Sequence, residues 1–129
     1  MIMTSRHNGV SFWEIPERKH PFVTDEIILA TSSITGAALP ESELLAKYLS
    51  DEIIRHISDY EYEEYTVDEI ITAVRINMRP IIKNPAGEDF KAVKIPERVS
   101  VGFLAGVLSN YKILRDGIDR MITNKINGY

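Results

Sequence analysis

The amino-acid sequence predicts an all-α fold: a single compact helical domain, residues 1–129, with about four main helices and at most one small β-hairpin. Three observations support this prediction. Apolar residues recur at spacings of three and four along most of the chain, and helix-capping residues precede several of these stretches. The composition, 44% hydrophobic and 26% charged in 129 residues, is typical of one folded globular domain.

Residues 1–22 are predicted to form a short extended arm. The stretch GVSFWEI, residues 9–15, alternates apolar and polar residues imperfectly and is followed by Pro16, which favours a short strand or an extended segment. Trp13 is the only tryptophan of the chain. Because a large aromatic ring buries much apolar area, we expect Trp13 to anchor the arm on the helical core.

The first two helices are predicted at 24–35 and 41–58. Thr24 has the side-chain oxygen of an N-cap, the two acids after it suit the positive end of a helix dipole, and Gly36 ends the helix. The second helix follows Pro40 and has the most regular pattern of the chain. Its apolar residues at helical spacing are Leu44, Leu45, Tyr48, Leu49, Ile53, Ile54 and Ile57.

The third helix is predicted at 66–78, where Thr66 and Glu69 form the T-x-x-E pattern of a capping box. It opens after an acidic stretch and closes on Arg75 and Arg79, which suits the helix dipole at both ends. A long loop is predicted at 80–98, because prolines and a glycine interrupt the pattern. Within it FKAVKI, residues 90–95, alternates like a short strand.

The fourth helix is predicted at 100–124, with one apolar stripe that includes Leu104, Leu108, Tyr111 and Leu114. Its first half also has a face of small residues around Gly102 and Gly106, which would let a second helix approach closely.

The charge is divided along the chain. Residues 1–78 contain six Lys or Arg and fourteen Asp or Glu, whereas residues 79–129 contain nine and five. Two interpretations remain open: the halves serve different charged partners, or they neutralise each other within the fold. The absence of cysteine suits a reducing compartment, and no signal peptide or membrane span is indicated, so we expect a cytoplasmic protein.

The sequence lacks the common motifs of enzymes. His7, His20 and His56 stand apart without the spacing of zinc ligands. The glycine-rich motifs that bind phosphate groups, and the G-x-S-x-G motif that presents a nucleophilic serine, are missing from the sequence. The acids of residues 59–69 crowd together on a polar stretch, which is more typical of solvated carboxylates than of acid–base catalysis. We therefore expect a protein that is not an enzyme and holds neither a metal nor a cofactor.

Two patterns in the second half of the chain resemble a known group. The first is EI-x-x-A-x-x-x-N, at Glu69, Ile70, Ala73 and Asn77, and the second is VS-x-x-F-x-x-x-V-L-x-x-Y-x-x-x-R, at Val99, Ser100, Phe103, Val107, Leu108, Tyr111 and Arg115. Over residues 40–116 the chain resembles small helical proteins of Bacteroidetes phages and mobile elements that are placed near DNA-replication accessory or helicase-loader proteins. The link between the two patterns is longer here, by the stretch IIKNPAGEDFKAVKI.

The resemblance implies a non-enzymatic adaptor, in the host cytoplasm if phage-encoded. One surface would bind a protein partner, such as a replicative ATPase, and a basic surface would contact single-stranded DNA. The residues predicted to make these contacts are Arg75, Arg79, Tyr111, Lys112 and Arg115. Tyr111, Lys112 and Arg115 have a second interpretation. They would then belong to a solvated helix face on which basic residues alternate with Asp116 and Asp119. The alternative function is a virion or mobile-element structural protein that forms homo-oligomers through the small-residue face of its C-terminal helix.

Overall fold

Four α-helices pack around one apolar core in the computed structural model, which describes residues 9–79, 81–83 and 89–126. They are α1 (His20–Thr35), α2 (Glu43–Asp59), α3 (Val67–Ile76) and α4 (Val101–Ile126). Short 3₁₀ turns cover Phe12–Glu14, Glu17–Lys19 and Tyr62–Glu64. The all-α fold with four main helices is thus confirmed, and each helix overlaps the range that the sequence predicts.

Helix α1 begins four residues earlier than predicted. Pro21 occupies its first turn, where the missing N–H of proline is not needed, and Thr24 lies inside the helix rather than at its N-cap. The Thr24 hydroxyl donates to the carbonyl oxygens of His20 and Pro21, at 3.0 Å each, and contacts the Ser50 hydroxyl of α2. The end at Gly36 is as predicted, with φ of +81° and its N–H donating to Ser32.

The extended arm predicted at 1–22 is not what the described part of that segment shows. Residues 1–8 lie outside the described residues, and from Phe12 onward the chain forms two 3₁₀ turns that lead into α1. A tight turn points successive side chains in different directions, so Phe12 is buried whereas Trp13 is 63% exposed. The aromatic anchor is therefore Phe12, whose N–H also donates to the Tyr65 carbonyl at 2.9 Å.

Helix α2 begins after Ser42, whose hydroxyl accepts from the Leu45 N–H at 3.2 Å. Its buried face consists of Leu49, Ser50, Ile53 and Ile57. Three of the predicted apolar positions near its start do not join the core and remain exposed to solvent: Leu44, Leu45 and Tyr48.

The predicted capping box of α3 is present. The Thr66 hydroxyl accepts from the Glu69 N–H at 3.0 Å, and the Glu69 carboxylate accepts from the Thr66 N–H at 3.4 Å. Both side chains are almost fully buried. The cap therefore satisfies two backbone donors that water cannot reach.

Replacing Thr66 by alanine is expected to lower the free energy of unfolding by about 1 kcal/mol, because a helix amide loses its acceptor. Urea unfolding followed by circular dichroism measures this loss. The matched control is Thr123→Ala, an exposed position inside α4, which should be neutral because alanine favours helix. Equal stability of the Thr66→Ala variant and the native protein would contradict the role of the cap.

The segment between α3 and α4 contains a small hairpin, in which β1 (Ile81–Lys83) pairs antiparallel with β2 (Asp89–Lys91). The strand predicted at 90–95 is wrong beyond Lys91, because Val93 instead turns to Asn77. The Asn77 side chain donates to the Val93 carbonyl at 2.9 Å and accepts from its N–H at 2.7 Å. These two bonds hold Val93 against the end of α3.

The side chain of Val93 also explains one glycine of α4. A Cβ placed on Gly106 would lie 3.0 Å from Val93, whereas one placed on Gly102 would have nothing within 4 Å. The close approach that the small-residue face predicts is therefore made at Gly106 by a loop of the same chain.

Helix α4 supplies much of the core. Its buried side chains meet residues of the other three helices, and the main members of this core are Ile27, Ile28, Ile53, Ile57, Ile70, Val74, Phe103, Leu104, Val107, Leu108, Tyr111 and Leu114. The predicted stripe of α4 is thus buried up to Leu114.

Candidate functional site

A cluster of buried polar residues joins α3 to α4. Glu69 of α3 is fully buried, and the Tyr111 hydroxyl of α4 donates to its carboxylate at 2.8 Å. The Nε of Arg115, one turn later on α4, lies 3.3 Å from the same carboxylate oxygen, in an ion pair without hydrogen-bond geometry. We call these three residues the Glu69 cluster.

Arg115 makes two further contacts at the edge of the Glu69 cluster. Its guanidinium donates to the exposed carboxylate of Glu64 at 2.8 Å and lies 4.3 Å from the ring centre of Tyr65, in cation–π geometry. The Tyr65 ring in turn meets the Tyr111 ring edge-on, at a centroid distance of 5.7 Å. The arginine is thus held by two carboxylates and one aromatic face.

The environment of Tyr65, Tyr111 and Arg115 keeps each of these three side chains in one protonation state. Burial raises the pKa of Tyr65 to about 12, despite the nearby positive charge of Arg115. Burial, and then the hydrogen bond to the Glu69 carboxylate, raise the pKa of Tyr111 far above its usual value. Burial lowers the pKa of Arg115, but its bond to Glu64 and the charge of Glu69 outweigh this, so the net change is upward. Both tyrosines stay neutral and the arginine stays charged.

These contacts determine where the predicted contact residues lie. Tyr111 is 2% exposed and Arg115 is 6% exposed, so neither side chain is presented at the surface as the prediction of DNA or partner contact requires. Arg75, Arg79 and Lys112 are exposed. The Lys112 ammonium lies 3.2 Å from the Asp116 carboxylate, one turn later on α4. The pairing of Lys112 with Asp116 agrees with the alternative of a solvated, alternating face.

The sequence predicted the capping role of Glu69 but not its ion pair with Arg115. The available signal was the position of Arg115 on the apolar stripe of α4, since a buried arginine needs an acidic partner. The two ion pairs of Arg115, together with Arg98–Glu41, connect the basic half of the chain to the acidic half. At these positions the two halves neutralise each other within the fold.

A second candidate surface is apolar and exposed. On the first two turns of α2, Leu44 is 77% exposed, Leu45 is 50% exposed and Tyr48 is 66% exposed. Leu44 and Tyr48 are four residues apart, so they are neighbours on one face of the helix. We call these three residues the α2 stripe.

A groove lies between α1 and the start of α2, with a volume of about 440 Å³. Its residues come only from positions 25 to 46: Asp25, Ile28, Leu29, Leu39, Pro40, Glu41, Ser42, Glu43 and Ala46. Hydrogen bonds between Ala38 and the Glu97 carbonyl, at 2.7 Å, and between Val99 and the Ala38 carbonyl, at 3.0 Å, hold the α1–α2 connection in place. We call this feature the α1–α2 groove.

Among the described residues, no group of three or more His, Asp or Glu side chains is placed to hold a metal ion, and no helix is long and apolar enough to cross a membrane. Comparison of the chain with protein-family models, with curated proteins and with solved structures found no match. The geometry described above is therefore the basis for the function proposed below.

Proposed function

We propose that this protein is a non-enzymatic adaptor of phage DNA replication, similar to a helicase loader, that binds a protein partner through the α2 stripe. The observation that carries the proposal is the exposure of three large apolar side chains on two consecutive turns of α2. Side chains of this kind, grouped on one helix face, are typical of a surface that a partner protein covers.

The chemistry of the α2 stripe suits a protein partner. Tyrosine combines a large apolar ring with a polar tip, and aromatic residues are frequent among the side chains that dominate binding energy. The helix itself is rigid, because Ser42 caps it and its other face is buried through Leu49 and Ile53. A preformed helix face loses little conformational freedom when a partner binds.

The Glu69 cluster supports the non-enzymatic part of the proposal. Its carboxylate accepts a hydrogen bond from the phenol and forms an ion pair with the guanidinium, and the raised pKa of Tyr111 holds its proton in place. A general acid or base has a pKa near the working pH and a reactive group that faces the substrate. The groups of the Glu69 cluster instead fix α3 against α4.

The proposed test uses a purified replicative helicase of a Bacteroidetes host as the partner. The double variant Leu44→Glu, Tyr48→Glu is expected to weaken binding in isothermal titration calorimetry at least about tenfold, since it places two charges in the apolar contact. Because both side chains are exposed, circular dichroism should show an intact fold.

Trp13→Glu is the matched control for that experiment, because Trp13 is as exposed as Tyr48 but lies outside the α2 stripe. It should bind like the native protein. Native-like affinity of the Leu44→Glu, Tyr48→Glu variant, or no binding of the helicase by the native protein, would contradict the proposal.

The nucleic-acid part of the proposal rests on the exposed cations at the end of α3, Arg75 and Arg79. We expect weak, salt-sensitive binding to single-stranded DNA in a mobility-shift assay, because phosphate contacts release counterions. Arg75→Glu, Arg79→Glu should abolish it, whereas Arg55→Glu on α2 should not. Arg115 is unsuitable for this test, since its substitution would disturb the core. Absence of binding at low salt would restrict the adaptor to a protein partner.

The alternative function is a structural protein that self-associates through α4, and the structure limits which surface of α4 such a contact can use. The side chain of Val93 fills the space beside Gly106, so the small-residue face of α4 is partly covered by the chain itself. Self-association through α4 therefore requires a different part of that helix.

A further inference from the structure

Helix α4 continues past the core. Leu114 and Arg115 are buried, but each described side chain from Ile118 onward is half-buried or exposed. The helix has 26 residues and is roughly 39 Å long at ~1.5 Å per residue, whereas its neighbour α3 has 10. We call residues 118–126 the α4 tail.

The α4 tail is amphipathic. Ile118, Met121, Ile122 and Ile126 follow the three-and-four spacing of the buried stripe, so they extend that stripe beyond the last buried turn. Met121 is 49% exposed and Ile126 is 78% exposed. Lys125 lies one turn after Ile122 on the same face, which places a positive charge within the apolar stripe.

The α1–α2 groove has the complementary chemistry. Ile28, Leu29 and Leu39 provide an apolar lining, and three acids, Asp25, Glu41 and Glu43, share it. Glu41 already pairs with Arg98 of the same chain. Asp25 and Glu43 would meet the positive charge of an incoming helix. No residue of α4 is among those that line the groove.

We propose that the α4 tail of one copy of this chain docks in the α1–α2 groove of a second copy. Met121, Ile122 and Ile126 would cover the apolar lining, and Lys125 would lie beside Asp25 and Glu43. The match of an apolar stripe containing one cation with an apolar groove containing acids favours this occupant over an uncharged helix.

The contact joins two different surfaces, so it is heterologous. Each copy keeps one unused tail or groove after the first contact, and assembly continues head to tail until a ring closes or a filament forms. This inference is separate from the proposed adaptor function, because the α2 stripe takes no part in it.

A charge exchange between groove and tail tests the proposal on the chain of 129 residues. Sedimentation velocity over a wide range of concentrations should show association beyond a dimer for the native protein. Asp25→Lys alone and Lys125→Asp alone should each weaken association about tenfold or more, because like charges then face each other. The variant that combines both substitutions, or an equimolar mixture of the two single variants, should restore it.

Two controls keep the outcome specific. Asp51→Lys, an exposed acid of α2 outside the groove, should neither weaken association nor rescue Lys125→Asp. Leu44→Glu should leave association unchanged, which separates this inference from the adaptor proposal. Circular dichroism establishes that each variant is folded.

Three results would overturn the proposal. One is a native protein that stays monomeric at every concentration. Another is association that Asp25→Lys leaves unchanged but Met121→Asp weakens, which would indicate that two α4 tails pair with each other. The third is a combined variant that associates no better than the single ones.

Discussion

Replacing Glu69 by leucine is expected to lower the free energy of unfolding by about 3–5 kcal/mol, the largest loss that we predict for a single polar residue. The change removes the buried carboxylate that pairs with Arg115, leaves the Tyr111 hydroxyl without its acceptor and removes half of the capping box. Of its two carboxylate partners, Arg115 would keep only the exposed one of Glu64. Urea unfolding at neutral pH measures the loss.

A double-mutant cycle distinguishes the ion pair from the other contacts of Glu69. Arg115→Leu alone should also be strongly destabilising, because it leaves the Glu69 carboxylate buried without its cation. The variant that carries both substitutions should be clearly more stable than the sum of the two losses predicts, since no uncompensated charge remains. Simple additivity would mean that Glu69 and Arg115 do not act as a pair.

Leu108→Ala is expected to lower the free energy of unfolding by about 2–5 kcal/mol. Leu108 is 2% exposed and faces a cavity of about 10 Å³ that Ile27, Ile57 and Ile70 also line. Loss of its side chain would enlarge this space among the four helices, and rigid helices cannot close it fully. Thermal and urea unfolding followed by circular dichroism measure the effect.

Ile113→Ala is the matched control for Leu108→Ala, because Ile113 lies on the same helix but is 38% exposed. Its cost should be well below that of Leu108→Ala, since less apolar area returns to water. Similar losses at the two positions would show that α4 is not buried along the face that contains Leu108.

Local patterns were sufficient for the helices. The periodicity of α2 and α4 and the capping box of Thr66 and Glu69 depend on residues within one or two turns of each other. The start of α1 was the exception: the Thr24 hydroxyl bonds inside the helix instead of capping it. A threonine suits both positions, so its residue type could not distinguish them.

The candidate contact residues were harder to predict, because exposure is a property of the assembled helices. Tyr111 and Arg115 have the chemistry of a nucleic-acid contact, yet both turn inward to Glu69, which lies 42 and 46 residues earlier in the chain. Arg75, Arg79 and Lys112 did prove to be exposed. No local sequence pattern indicates that residues so far apart in the chain will contact each other.

By itself the sequence determined the all-α class, the four helices and the cap of α3, because hydrogen bonds and side chains within a helix act over a few residues. Only the tertiary structure decided which apolar and charged side chains are buried. Phe12 rather than Trp13 enters the core, Val93 rather than a second helix meets Gly106, and the α2 stripe stays in solvent. The reason is that burial depends on which faces of distant segments meet, and several pairings satisfy the same local pattern.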